Sequence, residues 1–154
     1  MTGSVSRPER LPKQFRRSRA EHLGDRVLGA VIGSGLIPHS YILTTRGRRT
    51  GRLHRTPVIL VEPDDGRRWL VAPYGPVSWV HNARSAGMVT LRRGSRVHAF
   101  GLREVGPQEA GPVLKQYLAF ASATRPYFYA RKDSPVAEFV AEAHLHPVFE
   151  LLPR

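Results

Sequence analysis

A chain of 154 residues is long enough to close a hydrophobic core around one domain without metal or disulfide staples. It contains no cysteine, which excludes disulfides, thiolate nucleophiles and cysteine-ligated zinc or iron–sulfur centres, and fits a reducing compartment. The formal charge of +12 asks for an acidic partner, and the excess is uneven: residues 1–100 hold 18 Lys+Arg against 6 Asp+Glu, the remainder 6 against 6, which sum to the 24 and 12 of the whole chain.

Residues 1–19 carry Arg7, Arg10, Lys13, Arg16, Arg17 and Arg19 with few apolar side chains, the pattern of a mobile basic tail that could touch a membrane surface. From 20 to 34, Leu23, Val27, Ala30 and Val31 recur at helical spacing, and Gly35 and Pro38 end the run. That run is too short and too glycine-rich to span a bilayer, which takes about 20 apolar residues, so a cytoplasmic protein is expected, with membrane association as an alternative. A strand is expected over 39–45 and another over 56–62, followed by a Pro63-Asp64-Asp65-Gly66 turn and a returning strand over 69–72, together an antiparallel meander.

Between the first two strands lies Thr44-Thr45-Arg46-Gly47-Arg48-Arg49-Thr50-Gly51-Arg52-Leu53-His54-Arg55-Thr56-Pro57. Read as a connection, it suits gripping an anion: glycines let backbone N–H groups approach, and arginines offer forked donors matched to phosphate or carboxylate. Beyond Pro73-Tyr74-Gly75-Pro76, a short helix over 77–85 puts Trp79, Asn82 and Ala83 on one face, and Gly87 ends it. Runs over 88–93 and 96–105 form a hairpin about Gly94-Ser95. A helix with its main body starting near Pro112 turns Val113, Leu114, Tyr117, Leu118 and Ala121 inward. After the aromatic loop 124–130, Ser134 is expected to cap a helix opened by Pro135, with Val136, Phe139, Val140 and Ala143 on its apolar face. A last strand runs over 147–152.

The fold class is therefore α+β: a split β-barrel or strongly bent sheet of about six mostly antiparallel strands, with three to four peripheral helices, in a single domain over 20–154. Common hydrolytic templates are absent, as are a Walker loop and a dinucleotide fingerprint. His81, His98, His144 and His146 are scattered, so no metal site is expected.

Thr44-Thr45-x-Gly47-Arg48-Arg49-Thr50-Gly51, then Arg55-Thr56-Pro57, Val71-Ala72 and Trp79-x-x-Asn82, with a closing His146-Pro147-Val148-Phe149, resemble the deazaflavin-dependent nitroreductase family over about residues 20–152. The resemblance implies coenzyme F420, a deazaflavin with a phosphodiester and an oligoglutamate tail, with FMN as the alternative and haem as a further ligand of the fold. It implies hydride transfer from reduced F420 to an unsaturated apolar acceptor: a quinone, enone or nitroaromatic. By motif position Arg48, Arg49 and Thr50 would face the acidic tail. His54, Arg55, Thr56, Pro57, Val58 and Ile59 would line the cofactor along one strand, and Val71, Ala72, Pro73, Tyr74, Ser78, Trp79 and Asn82 would do so from the other side. Tyr127 would orient the acceptor or donate a proton, with Phe128 and Tyr129 walling the pocket. His54 stands where the family often has arginine and Pro73 where serine is common, and the stretch from Ala72 to Trp79 is shorter than usual. Such chemistry needs alignment and exclusion of water rather than an acid–base dyad. The rival expectations are an F420 carrier without turnover and a basic nucleic-acid-binding module. No nucleic-acid fold signature accompanies the charge, so nucleic acid is not the expected partner; a homodimer is a further expectation.

Overall fold

The computed structural model describes residues 38–154; the expected basic tail and the helix over 20–34 lie outside the described residues. Among the described residues six strands alternate with the turns read from the sequence: β1 (Ser40–Arg46), β2 (Leu53–Val61), β3 (Trp69–Val71), β4 (Met88–Arg93), β5 (Arg96–Glu104) and β6 (Val148–Pro153). Every pairing is antiparallel, and the order β1-β2-β3-β6-β5-β4 closes into a barrel. The helices are α1 (Ser78–Ala86), α2 (Pro107–Phe120) and α3 (Val136–Glu142), with single 3₁₀ segments at Ser122–Tyr127 and Ala143–Leu145.

Side-chain alternation along the strands builds two cores, one on each face of the sheet. Leu43, Leu60, Leu70, Leu91 and Phe149 point into the barrel, where Trp79, Val80 and Ala83 of α1 join them. Their neighbours Val61, Trp69, Val71 and Val148 point outward and are covered by Val113, Leu114, Tyr117 and Leu118 of α2 and by Phe139 of α3. The expected apolar faces of α1 and α2 are thus the buried ones.

Three expectations are corrected. The stretch over 44–57 is mostly strand: β2 begins at Leu53, and the connection is only the turn over 47–52. β2 meets β3 only through Leu60 and Val61, so Pro57 lies on a free edge where its missing N–H costs no ladder bond. α2 begins at Pro107 and carries Pro112 in its interior; burial of Ala110, Gly111, Val113 and Leu114 holds the helix through that break. Ser134 does not cap α3: its Oγ accepts the Arg131 N–H at 2.8 Å, and Pro135 occupies the N-cap position.

Candidate functional site

One end of the barrel gathers most of the expected residues. β1 pairs with β4 only over Ile42, Leu43 and Thr44, so Thr45 and Arg46, with His54 and Leu53 opposite, overhang the barrel as a two-stranded ribbon. The turn at its tip is pinched shut by Gly47 N–H to Arg52 O at 2.7 Å and Gly51 N–H to Gly47 O at 2.9 Å. Gly51 takes a left-handed φ of 71°, the conformation for which glycine is suited. At Gly47 a Cβ would lie 3.0 Å from both His54 Nε2 and Thr50 Oγ1, so these two side chains close over a bare backbone.

α1 reaches this turn through one side chain. Asn82 is 3% exposed, and its Oδ1 accepts both the Arg48 backbone N–H at 3.2 Å and the Arg48 guanidinium Nη1 at 2.9 Å. The expected Asn82 is therefore the anchor that sets where Arg48 points. Trp79, one turn earlier, packs 6.2 Å from Phe149 within the barrel core. Arg49, Arg52 and Arg55 are exposed and make no ion pair among the described residues. Thr45 is 3% exposed, and its hydroxyl has no hydrogen-bond partner among the described residues.

The connection from β3 to α1 and the segment after α2 meet at the same end. Tyr74 and Tyr127 contact edge to face, with ring centroids 4.7 Å apart. Phe128 is buried and stacks on His146 at 3.9 Å, whereas Tyr129 is half exposed. Beneath them His146 lies between the Pro73 carbonyl, 2.8 Å from Nδ1, and the Glu142 carboxylate, 2.9 Å from Nε2. Glu142 also accepts the backbone N–H groups of Tyr129 at 3.1 Å and Ala130 at 2.6 Å. Burial alone would raise its carboxyl, but the hydrogen bonds from His146 and the two amides, with the neighbouring imidazole, hold it below the usual carboxylate range. Burial pushes the hydroxyl of nearby Tyr117 well up.

Strand alternation divides the remaining expected residues. His54, Thr56 and Val58 share the inner face of β2 with the barrel core, while Arg55, Pro57 and Ile59 face out. Ile59 and Val71 pack in the outer core under the helices, away from Val58 and Ala72 in the inner one. Pro73 is buried and Ser78 is exposed at the start of α1. Glu142, His146 and Thr45 were not among the expected site residues. Phe139, Glu142, Ala143 and His146 nonetheless fall on one helical face, and a carboxylate on an apolar face signals a buried polar pair.

This end fits a phosphate- and carboxylate-bearing coenzyme. It presents an oriented guanidinium, three further exposed ones and a buried hydroxyl with acceptor and donor capacity to spare. An open cleft of about 300 Å³ lies at the opposite barrel end, beside Arg68, His98, Phe100 and Arg154. Its lining includes none of the residues gathered at the basic turn. No group of three or more His, Asp or Glu side chains suited to a metal ion occurs among the described residues. Nor is any helix among them long and apolar enough to cross a membrane.

Comparison with known proteins adds the chemistry. Residues 17–140 match the family model described as F420H(2)-dependent quinone reductase. A search of curated proteins returned no match. Among solved structures, a chain described as a domain-swapped dimer is 22% identical with a TM-score of 0.52, over 87% of this chain and 99% of that one. Rv2991 from Mycobacterium tuberculosis is 18% identical with a TM-score of 0.53, over 92% of this chain and 86% of that one. The haem storage protein HutZ from Vibrio cholerae is 12% identical with a TM-score of 0.51, over 90% and 92%. At these identities the three structures show a shared fold and nothing more.

Proposed function

The chain belongs to the F420H2-dependent quinone reductase family, and from that premise we propose that it reduces an unsaturated apolar acceptor, a quinone first among quinones, enones and nitroaromatics. Its cofactor is coenzyme F420 and its class is that of the F420-dependent reductases, in agreement with the deazaflavin dependence that the motifs imply. When bound, the reduced coenzyme supplies a hydride; a quinone that takes it with one proton becomes the hydroquinone.

The residues of this chain supply grip and alignment. The observation that carries the proposal is the double hydrogen bond from Arg48 to buried Asn82, which fixes one cation of the basic turn at the barrel mouth. Arg49, Arg52 and Thr50 surround it on the turn, a donor set matched to a phosphodiester and to glutamate carboxylates. Tyr74 and Tyr127 form an aromatic wall on the far side of the same barrel end. Tyr127 is half-buried there, with its ring held against Tyr74; in our reading it orients the acceptor and is placed to deliver a proton, and Tyr129 flanks the entrance.

The test is F420H2 oxidation by a soluble naphthoquinone, followed by the return of oxidised-F420 fluorescence. Protein-dependent turnover supports the proposal. Saturable F420 binding without turnover over a panel of quinones, enones and nitroaromatics would replace the reductase with a carrier.

A further inference from the structure

Two buried polar side chains outside the basic turn have a role that packing alone does not explain. Glu142 and His146 are one helical turn apart, with side chains 6% and 3% exposed, and every polar atom of the pair is engaged. Each nitrogen of the His146 ring faces an oxygen atom, Nδ1 the Pro73 carbonyl and Nε2 the Glu142 carboxyl, so the ring bridges the Pro73 segment and the end of α3. One arm of the pair ends on Pro73, at the head of the segment that leads to Tyr74 and α1. The other ends on the amides of Tyr129 and Ala130, and Phe128 lies flat on the imidazole with a 19° tilt. The segments joined in this way carry Tyr74 and Tyr127, which touch across the gap. A hydrophobic core could fill the same volume, but it would leave the Pro73 carbonyl and two amides unpaired in a buried site.

We infer that Glu142 and His146 are a positioning pair that locks the 73–75 segment to the 128–130 segment and so holds Tyr74 against Tyr127 in the aromatic wall. The consequence for ligand binding rests on the F420 reading above; the locking itself does not. The two arms can be cut separately. In His146→Asn the amide nitrogen replaces Nδ1 and keeps a donor for the Pro73 carbonyl, whereas in His146→Gln it replaces Nε2 and keeps only the bond to Glu142.

The experiment measures amide hydrogen exchange of the protein without coenzyme, then F420 binding by fluorescence titration. In wild type the Gly75 N–H bonds to Ala72 O and the Val77 N–H to Gly75 O. His146→Gln should speed exchange at Gly75 and Val77 and weaken F420 binding about tenfold, equivalent to about 1.4 kcal/mol. His146→Asn should leave both within about threefold of wild type, a difference under about 0.7 kcal/mol. Equal exchange in the two variants, or exchange at Gly75 unchanged in His146→Gln, would overturn the lock. Should His146→Gln not fold, Glu142→Gln decides: its amide oxygen still serves Ala130, so exchange should rise at Tyr129 and stay slow at Gly75, and the reverse pattern overturns the inference. Wild-type protein that binds no F420 would defeat the functional reading while leaving the exchange contrast to judge the pair.

Discussion

Replacing Asn82 separates the geometry of the basic turn from its charge. Asn82→Ala deletes an acceptor that serves one neutral and one charged donor of Arg48. Bonds of those kinds are worth about 1 and about 1.5–3 kcal/mol. Because Arg48 is exposed and regains water, the lower end applies, and a loss of about 2 kcal/mol lowers the melting temperature by roughly 4–8 °C in a chain of this size. F420 affinity should fall at least about tenfold with it, as Arg48 loses its direction. Asn82→Asp keeps the shape and both accepting positions but adds a negative charge. At about 7 Å and an effective dielectric near 20, that charge costs each anionic group of the coenzyme about 2 kcal/mol. Salt would shrink the penalty. Differential scanning fluorimetry and fluorescence titration at two ionic strengths read both effects. The expected signature is Asn82→Asp melting close to wild type, with binding weakened about tenfold or more at low salt and partly restored relative to wild type at high salt. Wild-type affinity for Asn82→Asp at low salt would refute the claim that Arg48 faces an anion.

Three further outcomes follow from the same end of the barrel and its support. Thr45→Val removes the unpartnered buried hydroxyl at constant shape, so thermal stability should hold or rise by up to about 1–2 kcal/mol while F420 affinity falls; unchanged affinity would take Thr45 out of the site. Gly47→Ala would set a Cβ 3.0 Å from His54 Nε2 and Thr50 Oγ1 and 3.2 Å from Arg52 O, and overpacking of this kind costs about 1–3 kcal/mol. Titration should show weakened coenzyme binding, and wild-type binding would mean that the turn does not need its closed form. The Glu142 carboxyl is held below its unfolded value of about 4.3, so its contribution to stability is complete above that pH and drains as pH falls through the folded value. Melting temperatures across the acid range should show this loss in wild type and a flatter profile in Glu142→Gln; parallel profiles would contradict it.

What the sequence disclosed depended on whether a residue's role was local. The strands with one face in a core announced themselves by alternation, and Trp79, Asn82 and Ala83 shared a predictable helical face. β2 began three residues earlier than expected because Leu53, His54 and Arg55 are all exposed, and no apolar alternation marks them as strand. The arginine cluster pointed to an anion, yet the side chain that aims Arg48 sits 34 residues away on α1, and only the closed barrel brings it there. The Glu142–His146 pair had a visible local half in its one-turn spacing. Its other half is the carbonyl of Pro73, 73 residues distant, and no periodicity encodes that partner. Ser134 shows the converse: a favourable cap residue was taken by a competing turn bond to Arg131.

The most direct measurement is a titration of the purified protein with oxidised F420, followed by coenzyme fluorescence, with FMN titrated in parallel. Saturable F420 binding at micromolar concentrations is expected, weakening as salt is raised, with FMN, which lacks the glutamate tail, bound more weakly. Absence of saturable F420 binding, or tighter binding of FMN, would contradict the F420 reading.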